Sequence, residues 1–173
     1  MIVGASEREQ STRAAVVSVI GSGTCDPDSD LAALAEDVGR RLAEAGAVLV
    51  CGGMGGVMEA ASRGAAGAGG IVIGVVPSDD PAHANPHCTH VIATGIGQAR
   101  NLAVVASGEA VIAIGGEWGT LSEIAFARRL GRTVLALRSW SPRGDGPMAE
   151  GPGVLSVADP AEAVERALAA ARP

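Results

Sequence analysis

The chain has 173 residues, a formal net charge of −6, and 47% hydrophobic but only 2% aromatic residues. This length fits one domain with a substantial core, which must be built from Ala, Val, Leu and Ile. All 13 basic residues are arginines, so a Walker-type phosphate loop and pyridoxal phosphate chemistry, which both need a lysine, are excluded. The acidic balance and the absence of basic runs argue against nucleic acid as a partner.

Apolar runs alternate with helical patterns along the whole chain. Such runs predict strands at 16–20, 47–51, 71–76, 90–93, 110–114, 133–137 and 154–157. Helical spacing predicts helices at 30–44, 57–66, 97–106, from Thr120 to Leu130, and at 160–171. Because the strands are continuous apolar runs, we predict an α/β fold with a single doubly wound, mainly parallel, Rossmann-like sheet and helices on both faces. Residues 15–173 form this domain, residues 1–14 form a flexible N-terminal arm, and loops occupy 78–89 and 139–152.

Several features bear on the cellular setting. No run of 18 apolar residues occurs and the first residues lack a signal-peptide pattern, so no membrane partner is expected. Three scattered cysteines are too few for a disulfide scaffold, which favours the cytoplasm. The segment HANPHCTH at 83–90 contains every histidine, but its spacing matches no standard zinc finger. We therefore predict a polar loop that contacts substrate there, with no metal and no cofactor.

Every glycine cluster follows a predicted strand. In a parallel sheet the strand ends share one edge, and ligands bind there where the strand order reverses. We expect four segments to converge at this edge: 21–23, 52–56, 94–100 and 115–123.

The segment GGEWGTLSE at 115–123 is the most specific of the four. Gly115 and Gly116 permit a tight turn, and Gly119 and Thr120 begin a helix whose free N–H groups and dipole suit a phosphate. Glu123 lies one turn into that helix, beside the anion. The alternative is a simple helix start in which Thr120 is the N-cap and Glu123 completes a capping box.

The other segments supply further candidates. Gly52 and Gly53, in the segment CGGMGG, are predicted to form the second side of a nucleotide-sized cleft. This segment lacks the G-x-G-x-x-G spacing of a dinucleotide site, so bound NAD is not expected. Arg100 either holds a phosphate or sugar or is a solvated helix arginine. Trp118 either walls the pocket or packs at a subunit contact. The predicted phosphate- and nucleotide-binding residues are Gly21, Ser22, Gly52, Gly53, Gly115, Gly116, Glu117, Trp118, Gly119 and Thr120.

These motifs resemble the Lonely guy (LOG) family and its relatives long called "lysine decarboxylases". The resemblance covers about residues 15 to 140. The family carries a P-G-G-x-G-T-x-x-E motif, which is matched here by Gly116, Gly119, Thr120 and Glu123. It also carries a G-G-G-x-x-G-[LV]-M segment, which is matched by Gly52, Gly53, Gly56, Val57 and Met58. Its arginine after the fourth strand is matched by Arg100. Gly115 replaces the family's proline and Glu117 its second glycine. The pattern is closer to a sister branch that includes the molybdenum cofactor carrier proteins.

The resemblance implies a phosphoribohydrolase that cleaves a nucleoside 5′-monophosphate to free base and ribose 5-phosphate, not a pyridoxal phosphate decarboxylase. In this hypothesis Glu123 stabilises the ribosyl cation or activates water, and Arg100 binds phosphate or ribose or orients Glu123. The resemblance also implies a homodimer or higher homo-oligomer.

A second hypothesis is a non-catalytic carrier or sensor of a phosphorylated pterin or nucleotide, which the departures at Gly115 and Glu117 favour. The discriminating feature is an open, sugar-sized gap between Glu123 and Arg100, which only the hydrolase needs.

Overall fold

The computed structural model describes residues 13–141 and 153–171. The strands in these ranges are β1 Val16–Gly21, β2 Val48–Cys51, β3 Val72–Val76, β4 His90–Ala93, β5 Ala110–Ile114, β6 Thr133–Leu137 and β7 Val154–Val157. The α-helices are α1 Asp30–Glu44, α2 Val57–Gly67, α3 Arg100–Ser107, α4 Trp118–Arg129 and α5 Pro160–Ala171. Two short 3-10 helices cover Pro81–His83 and Gly97–Ala99. The predicted arm and the 139–152 loop fall largely outside the described residues.

All seven strands form one parallel sheet in the order β4-β3-β2-β1-β5-β6-β7. Helices α1, α2 and α5 pack together on one face, and α3 and α4 pack on the other. Strand β5, next to the central strand β1, is buried at every position because both of its faces are covered. The predicted doubly wound, Rossmann-like α/β fold is confirmed.

Two predicted helix starts are wrong. Gly97 has φ +59, outside the α-helical region, so residues 97–99 form a 3-10 turn and the α-helix begins at Arg100. Helix α4 begins at Trp118, since Glu117 has extended backbone at the N-cap position. Thr120 is therefore already the third helical residue, and the alternative of a capping box from Thr120 to Glu123 is wrong.

Small residues let α1 and α2 pack very closely. A Cβ at Gly39 would lie 1.9 Å from the carbonyl oxygen of Ala61, and one at Gly64 would lie 2.0 Å from that of Glu36. Ala61 and Gly64 of α2 thus serve packing against α1 within the chain. The homodimer stays a prediction. Apolar side chains that a subunit contact could cover are exposed on and before α3, and they include Ile92, Ile96 and Leu102.

None of the helices within residues 13–141 and 153–171 has the length and apolar character needed to cross a bilayer.

Substituting two glycines of α2 tests this packing. Gly64→Ala should lower the free energy of unfolding by about 2 kcal/mol, because overpacking against the α1 backbone outweighs the gain in helix propensity. Gly67→Ala is the matched control, since nothing lies within 4 Å of its added Cβ, and it should leave stability unchanged or slightly raised. Urea unfolding measures both, and equal midpoints for the two variants would contradict the close contact.

Candidate functional site

The strand order reverses between β1 and β5, which lie side by side with Gly21 in register with Ile114. The helix after β1 packs on one face of the sheet and the helix after β5 on the other. A crevice therefore opens beyond the carboxyl ends of these two strands, which is where ligands bind in sheets of this kind.

Glycines let the loops at this crevice approach each other closely. A Cβ at Gly21 would lie 2.2 Å from the carbonyl oxygen of Ile114 and 2.7 Å from Cγ1 of Val57. At Gly56, which has φ +65, it would lie 2.3 Å from the carbonyl oxygen of Ser22. The Val57 N–H donates to that same oxygen at 2.9 Å. The predicted convergence of the first, second and fourth glycine segments is thus what the structure shows.

The turn between β5 and α4 needs both of its glycines. Gly115 has φ +55 and Gly116 φ +114, and a Cβ at Gly116 would lie 2.6 Å from the Thr120 hydroxyl. Gly119 faces open space, with no atom within 4 Å of its Cβ position. The first N–H groups of α4 are therefore accessible from the crevice at Gly119.

Glu117 occupies the N-cap position of α4 without capping it. Its carboxylate instead accepts hydrogen bonds from the hydroxyls of Thr24, at 2.9 Å, and Ser22, at 3.5 Å. Glu117 thereby joins the β1–α1 loop to the β5–α4 turn across the mouth of the crevice. Sequence reasoning singled out Ser22 and Glu117 but missed Thr24, because neither spacing nor motif links residue 24 to residue 117.

Arg100 and Glu123 face each other from α3 and α4. Both residues are only 6% exposed, and Arg100 Nη1 lies 3.9 Å from Glu123 Oε1. A Cβ at Gly52 would lie 2.6 Å from both terminal nitrogens of Arg100, so the guanidinium rests directly on the backbone after β2. Arg100 is therefore not a solvated helix arginine, and the third predicted segment joins the other three.

The hydrogen bonding of Arg100 is incomplete. Its Nη1 donates to the side-chain oxygen of Asn101, while its buried Nε–H has no partner among the described residues. Buried polar groups are almost always paired, and an exception in a crevice indicates a place for a ligand or an ordered water. Burial also lowers the pKa of Arg100 from its ordinary value, an effect that the charge of Glu123 opposes.

Burial has the opposite effect on Glu123. Desolvation raises the pKa of this carboxyl to about 7, against the pull of Arg100 toward the charged form. A carboxyl that titrates near neutral pH is suited to proton transfer, and such groups concentrate at functional sites.

The loop at 78–89 supports the site more than it lines it. Buried Asn85 donates from Nδ2 to the carbonyl oxygen of Met54 at 3.0 Å, and its N–H donates to that of Gly53 at 2.8 Å. The Cys88 thiol lies beside that of fully buried Cys51, whose pKa is lowered mainly by a hydrogen bond with Cys88. The described residues contain no group of three or more metal-ligating side chains.

Trp118 lies at the open rim of the crevice and is 77% exposed. Its ring centroid is 5.8 Å from that of Trp140, with 30° between the ring planes. Trp140 lies in the segment predicted as a loop, and no sequence pattern connected the two.

The parallel sheet and the crevice at its reversal point define a Rossmann-like protein. A model of the SLOG cluster4 family matches residues 14–164, and the chain belongs to this family. The predicted relationship to the LOG-like superfamily is thus confirmed.

Three relatives illustrate the similarity. An uncharacterised protein of Archaeoglobus fulgidus is 43% identical over 122 residues, which are 70% of this chain and 79% of that protein. The molybdenum cofactor binding protein of Rippkaea orientalis is 34% identical, with a TM-score of 0.78 over 92% of this chain and 98% of that one. The molybdenum cofactor carrier protein of Chlamydomonas reinhardtii is 30% identical, with a TM-score of 0.76 over 91% and 99%.

The raised pKa of Glu123 predicts a specific pH dependence of stability. Between pH 4.5, the ordinary pKa of the carboxyl, and about 7, its pKa here, the folded state holds a proton that the unfolded state has lost. Stability therefore falls as pH rises through this window, by about 3 kcal/mol.

In Glu123→Gln this contribution is absent. The wild type and the variant differ in their free energy of unfolding. This difference, wild type minus variant, should fall between pH 4.5 and about 7 and stay constant at higher pH. Denaturant unfolding at several pH values measures both proteins. Parallel curves would show that folding does not raise the pKa of Glu123.

Proposed function

We propose that this protein binds a phosphorylated pterin-type molecule in the crevice and carries it without cleaving it. The observation that carries the proposal is the closeness of Arg100 and Glu123, whose charged groups are 3.9 Å apart and almost fully buried. A hydrolase of the LOG type would need a sugar between them. Similarity to proteins named for binding and carrying the molybdenum cofactor supports the same choice.

The phosphate of the ligand would bind at the start of α4. The N–H groups of residues 118–120 have no acceptor within the helix, and the helix dipole favours an anion there. Gly119 leaves this approach open, because no atom lies within 4 Å of its Cβ position. The hydroxyls of Ser22 and Thr24 lie across the mouth, where they donate to Glu117.

Arg100 would supply the positive charge behind this cradle. Its guanidinium is fixed between the Gly52 backbone and the Asn101 side chain, and its Nε–H has no partner among the described residues. A fixed guanidinium with a spare donor binds an anion with little loss of conformational entropy. Glu123 would then limit the net charge of the site and keep Arg100 in place.

Glu117 favours binding over hydrolysis. In the LOG motif this position is glycine, whereas here a carboxylate takes the hydroxyl donors of Ser22 and Thr24. A bound phosphate must compete with Glu117 for these donors, which weakens binding and favours release. Reversible binding is what a carrier requires, since its ligand must be handed on.

The second candidate function is the phosphoribohydrolase. The observation that favours it is the pKa of Glu123, raised to about 7. In this reaction water adds to the anomeric carbon, the bond to the base breaks, and the base leaves with a proton. Glu123 would accept the proton that the attacking water loses and then give it to the departing base, so that the carboxylate is restored.

A ligand panel separates the two functions. The purified protein is titrated by calorimetry with AMP, N6-prenylated AMP, GMP and neopterin monophosphate, and each mixture is assayed for free base by chromatography. We expect binding of the phosphorylated pterin and no release of base from any nucleotide. Base release that disappears in Glu123→Gln would establish the hydrolase instead.

Two glycines of one loop provide the matched variants. Gly52→Ala should weaken binding at least tenfold, because the new Cβ displaces the Arg100 guanidinium that supplies a charge-assisted hydrogen bond of about 1.5–3 kcal/mol. Gly55→Ala should bind like the wild type, since its Cβ would meet only ordinary contacts at 3.7 and 3.8 Å. Equal affinity in both variants would remove Arg100 from the site.

A further inference from the structure

The two tryptophans of the chain meet at the rim of the crevice. Trp118 is the first residue of α4 and Trp140 follows β6, yet their ring centroids lie 5.8 Å apart. The chain contains no tyrosine and a single phenylalanine. Two of its three aromatic side chains are therefore gathered at one place outside the core.

The pair is exposed unequally. Trp140 is 39% exposed and Trp118 is 77% exposed, so Trp140 supports a ring that remains largely open to solvent. The separation and the 30° tilt put the two rings in mutual contact, without room for a third ring between them. A planar ligand would stack on the open side of Trp118. An exposed aromatic surface beside polar groups indicates a binding surface.

A cavity of about 240 Å³ adjoins Trp140, the less exposed member of the pair. It is lined by Gly115, Gly116, Arg138, Ser139 and Trp140. Gly115 and Gly116 also form the turn that leads to the start of α4. The cavity therefore lies next to the turn that precedes the proposed phosphate site.

Arg138 has an unusual backbone at this cavity. Its φ is +50, and no other non-glycine residue in the described ranges has a positive φ. The conformation costs energy for a long side chain, and such residues cluster at ligand sites. The Ser139 hydroxyl donates to the Gly115 carbonyl and ties the end of β6 to the glycine turn. The Arg138 guanidinium is exposed and lies 3.7 Å from the carboxylate of Asp30.

We propose that Trp118, positioned by Trp140, is the stacking surface for a planar nitrogen heterocycle whose attached phosphate binds at the start of α4, and that Arg138 lines this ring subsite. The proposal rests on the proposed function and adds a ring subsite to its phosphate site. The ring is of the purine or pterin type, because tryptophan stacks on any flat π system and Arg138 offers donors to ring nitrogens and carbonyls.

Intrinsic fluorescence reports on this subsite alone, because the chain has no tryptophan other than Trp118 and Trp140. With excitation selective for tryptophan, the protein is titrated with GMP, neopterin monophosphate and ribose 5-phosphate. Saturable quenching is expected with at least one of the two ring-bearing probes, and the stronger of them identifies the ring. Ribose 5-phosphate, which has a phosphate but no aromatic ring, should bind by calorimetry without quenching.

Three substitutions localise the effect. Trp118→Ala should lower the affinity for the probe with the aromatic ring about tenfold and leave the affinity for ribose 5-phosphate unchanged. Leu130→Ala removes another exposed apolar side chain at the end of the same helix and should change neither affinity. Arg138→Asn should keep the fold, because asparagine tolerates a positive φ, while it weakens the ring-bearing probe.

The contrary outcomes are distinct. Ribose 5-phosphate binding as tightly as both ring-bearing probes, with no quenching by either, would overturn the ring subsite and leave the phosphate site intact. Binding of no probe at all would overturn the proposed function and the subsite with it. If Trp118→Ala leaves ligand affinity unchanged but lowers the mass measured by light scattering, the ring subsite is overturned. The tryptophan pair is then a contact between copies of the chain.

Discussion

The buried guanidinium of Arg100 is the constraint on which the rest of the site depends. A charge at this depth is tolerated only when paired, and Glu123 supplies the opposite charge at 3.9 Å. Room for the guanidinium exists because residue 52 has no side chain. The loop after β2 keeps its place through the hydrogen bonds of Asn85 to Gly53 and Met54. Two loops and helix α4, from distant parts of the chain, thus hold one cation behind the crevice.

The two carboxylates of the site have different physical roles. Glu123 is desolvated, so its pKa rises to about 7 and its charge partly balances Arg100. Glu117 is exposed and hydrogen-bonded to the hydroxyls of Ser22 and Thr24. The first limits how strongly the site attracts anions, and the second competes for the donors at its mouth. In the proposed carrier function, both effects favour a ligand that is held and then released, and the 3.9 Å between Arg100 and Glu123 belongs to a site without a sugar between them.

The sequence predicted the sheet and the convergence of four loops well, because continuous apolar strands and glycines at strand ends are local signals. It failed where local patterns mislead: Thr120 and Glu123 have capping-box spacing, yet the helix starts at Trp118 because Glu117 is extended. Thr24, Asn85 and Trp140 were missed for another reason. Each contacts a residue more than 20 positions away in the chain, and no single-sequence pattern encodes such contacts.

Phosphate binding at the start of α4, as we propose, can be observed residue by residue with amide NMR. Titration of ¹⁵N-labelled protein with inorganic phosphate should shift the amide signals of Gly116, Gly119 and Thr120 in a saturable way, with a smaller change at Gly52 beneath Arg100. The amides of Gly67 and Gly131 are internal references, since both are exposed at the ends of helices. Saturable shifts confined to residues outside the crevice, or no shifts at the start of α4, would contradict the account.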